Sequence, residues 1–334
     1  MRERSNPNPQ GAHMKTKGLD TPACHAALPM ISLAVIISIL PGSATATEGG
    51  ATNKALGVDT VLVGVIGPPG SLRNTNFLGY YHATQTLDGS GNPRAGISNF
   101  GLNFSAITSR LQYVWPDAKF LGADIETRVG ATWYADAHVN FNVQAAGGAV
   151  HRDSSSSGWL PGALVGPVIL GWHGETVHQM TGVEFYFPTR GFVVGQPVNV
   201  ATGFSSLAPH YWISWFPTHD IEIDGSFVYL FNATNRKTNY RSGQEFSMDY
   251  AAGYSLAPSW QAGASGYAYR QTTDDRVNGN PVPGGNRGRA FAVGPYIRYH
   301  TGYGGITFKW QNELAVENRA KGNRFFLQFA LRLW

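Results

Sequence analysis

Beginning at Ala123 the chain alternates between apolar and polar positions. Ala123, Ile125, Thr127, Val129, Ala131 and Trp133 share one parity, while Asp124, Glu126, Arg128 and Thr132 share the other. Successive side chains of a strand point to opposite faces, so this stretch presents one greasy wall and one charged wall. The pattern returns from Asp220, where Ile221, Ile223, Phe227, Tyr229 and Phe231 oppose Glu222, Asp224 and Ser226. It returns again where Phe246, Met248, Tyr250, Ala252 and Tyr254 oppose Glu245, Ser247 and Asp249, and where Ile306, Phe308 and Trp310 oppose Thr307, Lys309 and Gln311. In the last such stretch Phe325, Leu327, Phe329, Leu331 and Leu333 oppose Arg324, Gln328 and Arg332.

This periodicity predicts about twelve strands, at 76–86, 102–115, 120–134, 164–171, 176–187, 207–216, 220–231, 244–254, 260–271, 289–300, 305–314 and 323–334. Each spans about 9–14 residues, the reach a tilted strand needs to cross a bilayer, whereas soluble strands average about five or six. Pro167 interrupts the fourth, and Gly263 and Gly266 blur the ninth. The connections alternate in length. Short ones are Pro116–Lys119, His173-Gly174, Pro217–His219 and Ser255–Pro258; long ones contain Gly89–Pro93, Ser154–Ser157 and Asn278–Gly288. Brief turns at one end and extended loops at the other mark a transmembrane antiparallel β-barrel, and an even strand number puts both ends of the wall on the periplasmic side.

The first 46 residues read differently. Lys15 and Lys17 precede an apolar run from Ala26 to Leu40, Pro41-Gly42 breaks it, and Ala44-Thr45-Ala46 is a small-residue cleavage site. This is the design of a secretory signal starting at Met14, with Met1–His13 upstream of it. The run is roughly 15 residues, short of the ~20 of a spanning helix. The single cysteine, Cys24, would leave with the signal, so neither a disulfide framework nor a cysteine metal site is expected. Residues 47–75 are too short and Pro-broken for a wall strand and are expected to sit in the lumen or at its periplasmic mouth, ahead of a barrel over 76–334.

Composition agrees with a wall that faces lipid. Only 14% of residues are charged, 13% are aromatic and 41 are glycine, against about 25% charge in an ordinary soluble domain. Residues 1–46 hold four Lys/Arg and two Asp/Glu, so the formal charge of +4 falls to +2 without them. That balance gives no reason to expect nucleic acid as a partner. The expected partners are outer-membrane lipid, the barrel assembly machinery and small solutes, with self-association left open.

Within this barrel Asp124, Glu126, Arg128, Glu222, Asp224, Glu245, Asp249, Arg298, Lys309 and Arg332 are the candidate lumen-lining residues. Lys or Arg on the lipid side costs roughly 2–4 kcal/mol at mid-bilayer. Facing inward, these charges can pair across strands. A twelve-stranded barrel is wider than the eight-stranded kind that side chains fill, which favours a pore or a plugged cavity.

The mature chain also resembles the outer-membrane transporters named for the meta pathway of phenol degradation. The resemblance rests on Glu48-Gly49-Gly50, Gly57–Thr60, Gly67–Gly70 with Tyr80-Tyr81, Leu111–Pro116, Pro167–His173 and Phe187–Gly191, in which Arg190 is an insertion. Phe231-Asn232 with Thr238–Glu245 is the most specific piece, and Gly266–Asp275 and Gly294-Pro295 complete it. It implies a barrel of about twelve strands, passage of hydrophobic and often aromatic compounds, no catalytic residues and no cofactor. A family relation to barrels that export amyloid subunits leaves the direction of transport open. Trp334 departs from the usual barrel ending, because it lies on the opposite parity from Leu333, Leu331 and Phe329.

Other chemistry is weaker. Asp220-x-Glu222-x-Asp224-Gly225 opens like a calcium loop but has Phe231 where the loop needs Glu. His173 and His178 flank a turn without a third ligand, and Asp274-Asp275-Arg276 reads as a solvated turn. Ser205, Ser206 and His210 are the residues a lipid-hydrolysing barrel would use, and nothing marks either serine as a nucleophile. A lipid-acting enzyme and a secretion pore for an exported protein are therefore the alternatives to a passive channel.

Overall fold

The structure, a computed structural model, describes residues 48–333. The signal segment, its cleavage point after Ala46, Cys24 and the parity of Trp334 lie outside the described residues. A short 3-10 turn at Glu48–Gly50 is followed by irregular chain and then by β1 (Leu72–Thr86), β2 (Ile97–Phe120), β3 (Ala123–Ala145), β4 (Gly148–His173), β5 (Val177–Pro188), β6 (Ser206–Trp215), β7 (Ile221–Asn232), β8 (Tyr240–Arg241), β9 (Glu245–Ala257), β10 (Trp260–Gln271), β11 (Arg276–Val277), β12 (Asn280–Pro281), β13 (Arg289–Thr301), β14 (Gly304–Glu317) and β15 (Ala320–Arg332). Twelve of these close into one antiparallel barrel, and β8, β11 and β12 form a separate three-stranded sheet. The seam joins the first wall strand to the last, with Arg73 opposite Arg332 and Tyr80 opposite Phe325.

The alternation sorts side chains as expected. Along β9, Glu245, Ser247 and Asp249 are fully buried inside, while Phe246 and Tyr254 are exposed outside. Leu78, Ile107, Leu111, Ile223, Phe308 and Trp310 extend the apolar outer surface around the wall. Contiguous apolar area of this extent needs lipid rather than water as its solvent.

Three sequence expectations change. The turn expected at Pro116–Lys119 is a bulge within β2, because the chain reverses at Leu121-Gly122, where Phe120 pairs with Ala123. Both turn residues have positive φ, the requirement of a two-residue hairpin matched to strand twist, and Gly122 meets it without strain. The loop expected around Ser154–Ser157 is strand. β3 and β4 continue as a hairpin of 23 and 26 residues, far beyond bilayer reach, closing at Ala145 opposite Gly148. Pro167 is accommodated by register shifts, between Val165 and Ile169 against β5 and between Glu126 and Arg128 against β3. The Asn278–Gly288 loop contains a hairpin of its own, with Val277 opposite Asn280.

β1 begins at Leu72, four residues before the expected start at 76. The chain ahead of it runs the length of the barrel interior. Glu48 sits among the long loops, where Asn235 and Thr238 each donate to its carboxylate at 2.6 Å. Lower down, Gly57 and Asp59 donate backbone N–H bonds to Asp249 in the middle of β9. Leu62 and Val63 donate to Glu222 and Asp224 near the short-turn end of β7. Gly70 then bonds to Val114 beside the start of β1. Gly57 is a position where only glycine fits: φ is +77° and an added Cβ would collide with the Gln311 side chain.

Candidate functional site

The barrel interior is electrostatically two-sided. On β7 and β9, Glu222, Asp224, Glu245 and Asp249 are buried on the inner face, as their parity requires. Asp249 accepts the Lys54 ammonium at 2.5 Å and the amides of Gly57 and Asp59 at 2.8 and 3.1 Å. Glu222 takes the Leu62 amide at 3.0 Å, the Gln261 amide at 2.9 Å and Arg298 at 2.9 Å. Asp224 takes the Val63 amide and the Ser214 hydroxyl. Glu245 accepts from Asn232 at 2.6 Å. Glu222, Asp224 and Asp249 thus serve as acceptors for a segment whose backbone amides have no strand partner, as buried backbone groups require.

The other side is basic. Arg128 is clamped between Glu126 at 2.6 Å and Glu184 at 3.3 Å and lies 4.6 Å over the Trp212 ring. Lys309 is buried and donates to the Val58 carbonyl at 2.7 Å and the Thr60 hydroxyl at 3.1 Å. Arg298 reaches back to Glu222. Asp124, buried on the inner wall, pairs with Lys119 at 3.2 Å near the short turns. Of the ten sequence candidates, nine are buried on the inner wall, and Arg332 is exposed at the edge of a cavity.

Several residues escaped the sequence reading. Arg110 and Glu184 lie on the inner parity of strands that were recognised, so period two alone would have found them. Arg110 bonds Asp59 at 3.0 Å. Burial alone would raise the Asp59 carboxyl, but Arg110 and Lys54 beside it outweigh burial and hold it well below the usual carboxylate range. Asp275 belongs to no solvated turn. It is buried and accepts from Tyr240, Gly243, Gln271 and Asn286, tying β8 to the β10–β11 connection.

The weaker motifs come apart. Glu222 and Asp224 serve the lumen, and His173 and His178 face each other across a hairpin, Nδ1 to Nδ1 at 3.1 Å. Among the described residues, no three His, Cys, Asp or Glu side chains are grouped as a metal site would need. Ser206 donates to Asn232 at 2.6 Å and accepts from Asn53 at 2.7 Å, whereas His210 faces Glu184 at 3.2 Å. Both point into the barrel, away from the outer surface where a lipid ester would lie.

Two adjoining cavities remain beside the segment. The one nearer the short turns, about 380 Å³, is lined by Arg73, Arg110, Arg128, Arg298 and Arg332 with Phe77 and Trp212. The other, about 170 Å³, is lined by Phe77, Tyr81, Phe104, Tyr186 and Phe326 with Lys54, Arg110 and Arg324. Val58, Phe77 and Arg110 border both, so the Asp59–Arg110 pair stands at their junction.

Residues 83–329, most of the chain, match the family described as "Putative MetA-pathway of phenol degradation". The chain belongs to that family. Among solved structures it is similar to the COG4313 outer membrane channel from Pseudomonas putida F1, with 14% identity and a TM-score of 0.65 over 80% of this chain and 97% of that one. The transport unit of the autotransporter AIDA-I from Escherichia coli is 10% identical, with a TM-score of 0.45 over 78% of this chain and 89% of that one. At these identities the likeness is one of fold. No curated protein sequence matches the chain. For this member of the phenol-degradation family, the fold is therefore the twelve-stranded barrel of an outer-membrane protein.

Proposed function

We propose that this chain is a passive outer-membrane channel for small hydrophobic or aromatic solutes, with no catalytic step. Residues 48–71 act as a plug that narrows the lumen, and the short turns face the periplasm. The observation that carries this reading is the pair of adjoining, aromatic-lined cavities left between the segment and the wall, the larger bordered by β1–β3 and β13–β15 and the smaller by β1–β5 and β15. The family's name and the description of the Pseudomonas protein as a channel accord with it. Diffusion needs a polar path with apolar footholds, and the charged and aromatic residues that line the two cavities support that reading. Glu222, Asp224, Asp249 and Lys309 hold the plug, and Arg128, Arg298 and Arg332 border the path.

Planar-bilayer recording tests this directly. Deleting residues 48–71 should raise single-channel conductance severalfold, and unchanged conductance would refute the plug. A deletion strain that takes up labelled aromatic compounds as fast as its parent would refute the substrate class.

A further inference from the structure

We propose that the larger cavity is a binding site for the carboxylate of a small aromatic acid, a substrate class that rests on the channel reading above. Five guanidinium side chains line it, from β1, β2, β3, β13 and β15, and Asp59 is the one acid among the lining residues. A volume of about 380 Å³ lies within the range of small-molecule sites.

The wall partners do not exhaust these donors. Arg110 on β2 and Arg298 on β13, with β1, β15 and β14 between them around the wall, each keep a buried Nε–H with no acceptor. Buried donors without partners are costly and uncommon in native proteins. An anion in the cavity would provide acceptor oxygens for both. Arg332 has no ion pair among the described residues, and the carboxylate nearest Arg73 is that of Glu126, 3.9 Å away. Glu126, Glu184, Glu222 and Asp59 pair with Arg128, Arg298 and Arg110, and Glu126 is shared at longer range with Arg73, so Arg73 is the weakly paired and Arg332 the unpaired guanidinium of the five.

The rest of the lining selects for a ring. Phe77 lies beneath Arg110, 5.4 Å from its guanidinium carbon, and Trp212 lies beneath Arg128. A planar acid can lay its ring beside these aromatic side chains where they line the cavity and turn its carboxylate to the planar guanidinium forks, which suit bidentate pairing. The smaller cavity continues the same chemistry, with Tyr81, Phe104, Tyr186 and Phe326 beside Lys54 and Arg324.

Benzoate, benzamide and acetate separate the contributions. Benzamide keeps the ring and loses the charge; acetate keeps the charge and loses the ring. Calorimetry on the purified full chain should give benzoate at least about tenfold tighter binding than either, the scale of one charge-assisted hydrogen bond. The R73Q/R332Q variant should weaken benzoate about tenfold and leave benzamide unchanged. Both side chains are partly exposed, so this variant leaves no buried carboxylate alone. Equal binding of benzoate and benzamide by the native chain would overturn the proposal whatever the variant does. So would a variant that binds benzoate as well as the native chain. Uptake into proteoliposomes is measured separately: passage without charge preference overturns the site and spares the channel, and binding without passage supports the site and refutes the channel.

Discussion

The inner face of β7 and β9 bears carboxylates as its only charges, whereas the inner face of β1–β3 sets Arg73, Arg110 and Arg128 beside Asp124 and Glu126, and the two meet different fates. On the first, each of Glu222, Asp224 and Asp249 is engaged by amide groups of the N-terminal segment. On the second, Arg128 and Arg110 pair with side-chain carboxylates, Arg73 lies 3.9 Å from Glu126, and all three guanidinium groups border open space. A carboxylate can be satisfied by any backbone N–H, whatever side chain that residue bears, so an acidic stripe can dock an irregular chain. Guanidinium groups have no such partner, since backbone N–H groups cannot serve them and carbonyls must come from a chain that is held elsewhere. The acids of β7 and β9 therefore hold the segment by its backbone, Arg110 meets it through the Asp59 side chain, and the arginines keep the adjoining cavity polar.

The sharpest way to break this division is Asp249→Ala. It leaves the buried Lys54 ammonium only one carboxylate, that of Asp59 at 3.9 Å, and strips two amides of their acceptor, and removing one partner of a buried ion pair costs about 3–5 kcal/mol. Residues 51–64 should lose their protection from proteolysis while the barrel persists. Glu222→Ala comes next, at about 3 kcal/mol, because Arg298 is left without its carboxylate. Its measure is the urea midpoint of unfolding from detergent.

Asp59→Asn should cost less, about 1.5–3 kcal/mol, by removing the charge-assisted bond to Arg110. This variant also carries the pH test. The Asp59 carboxyl titrates below its unfolded value, so its stabilisation is complete above the ordinary carboxylate range and is lost as pH falls through the depressed value. The stability gap between native chain and variant should stay constant from pH 8 to 5 and shrink only in strong acid. A gap that closes between pH 7 and 5 would contradict the pairing. The smallest effect is expected for Arg332→Gln, which touches no ion partner and should shift stability by no more than about 0.5 kcal/mol.

Much of this is legible in the amino-acid sequence. Period two placed Glu245 and Asp249 inside and Phe246 outside, because a bilayer on one face and a polar lumen on the other leave no third arrangement. The same rule failed over 135–163 for a physical reason. There the β3–β4 hairpin rises beyond bilayer reach, and a strand outside the membrane has no reason to keep one face apolar, so Ser154–Ser157 reads as loop. The N-terminal pairs could not be found from local pattern at all. Lys54 and Asp249 are 195 residues apart, and Asp59 reaches Arg110 from a stretch without periodicity. Only the closure of the wall brings them together.

Glu48 is tethered at one mouth of the cylinder, while the same stretch of chain joins the wall at the other mouth, beside Arg332. A rope fixed at both ends of a pipe has to be laid before the pipe is welded shut, or be pulled through afterwards. The weld here is the pairing of β1 with β15, and β1 is the strand the rope is tied to. Assembly in which that seam zips last, with residues 48–71 already lying against β7 and β9, is the route that requires no threading.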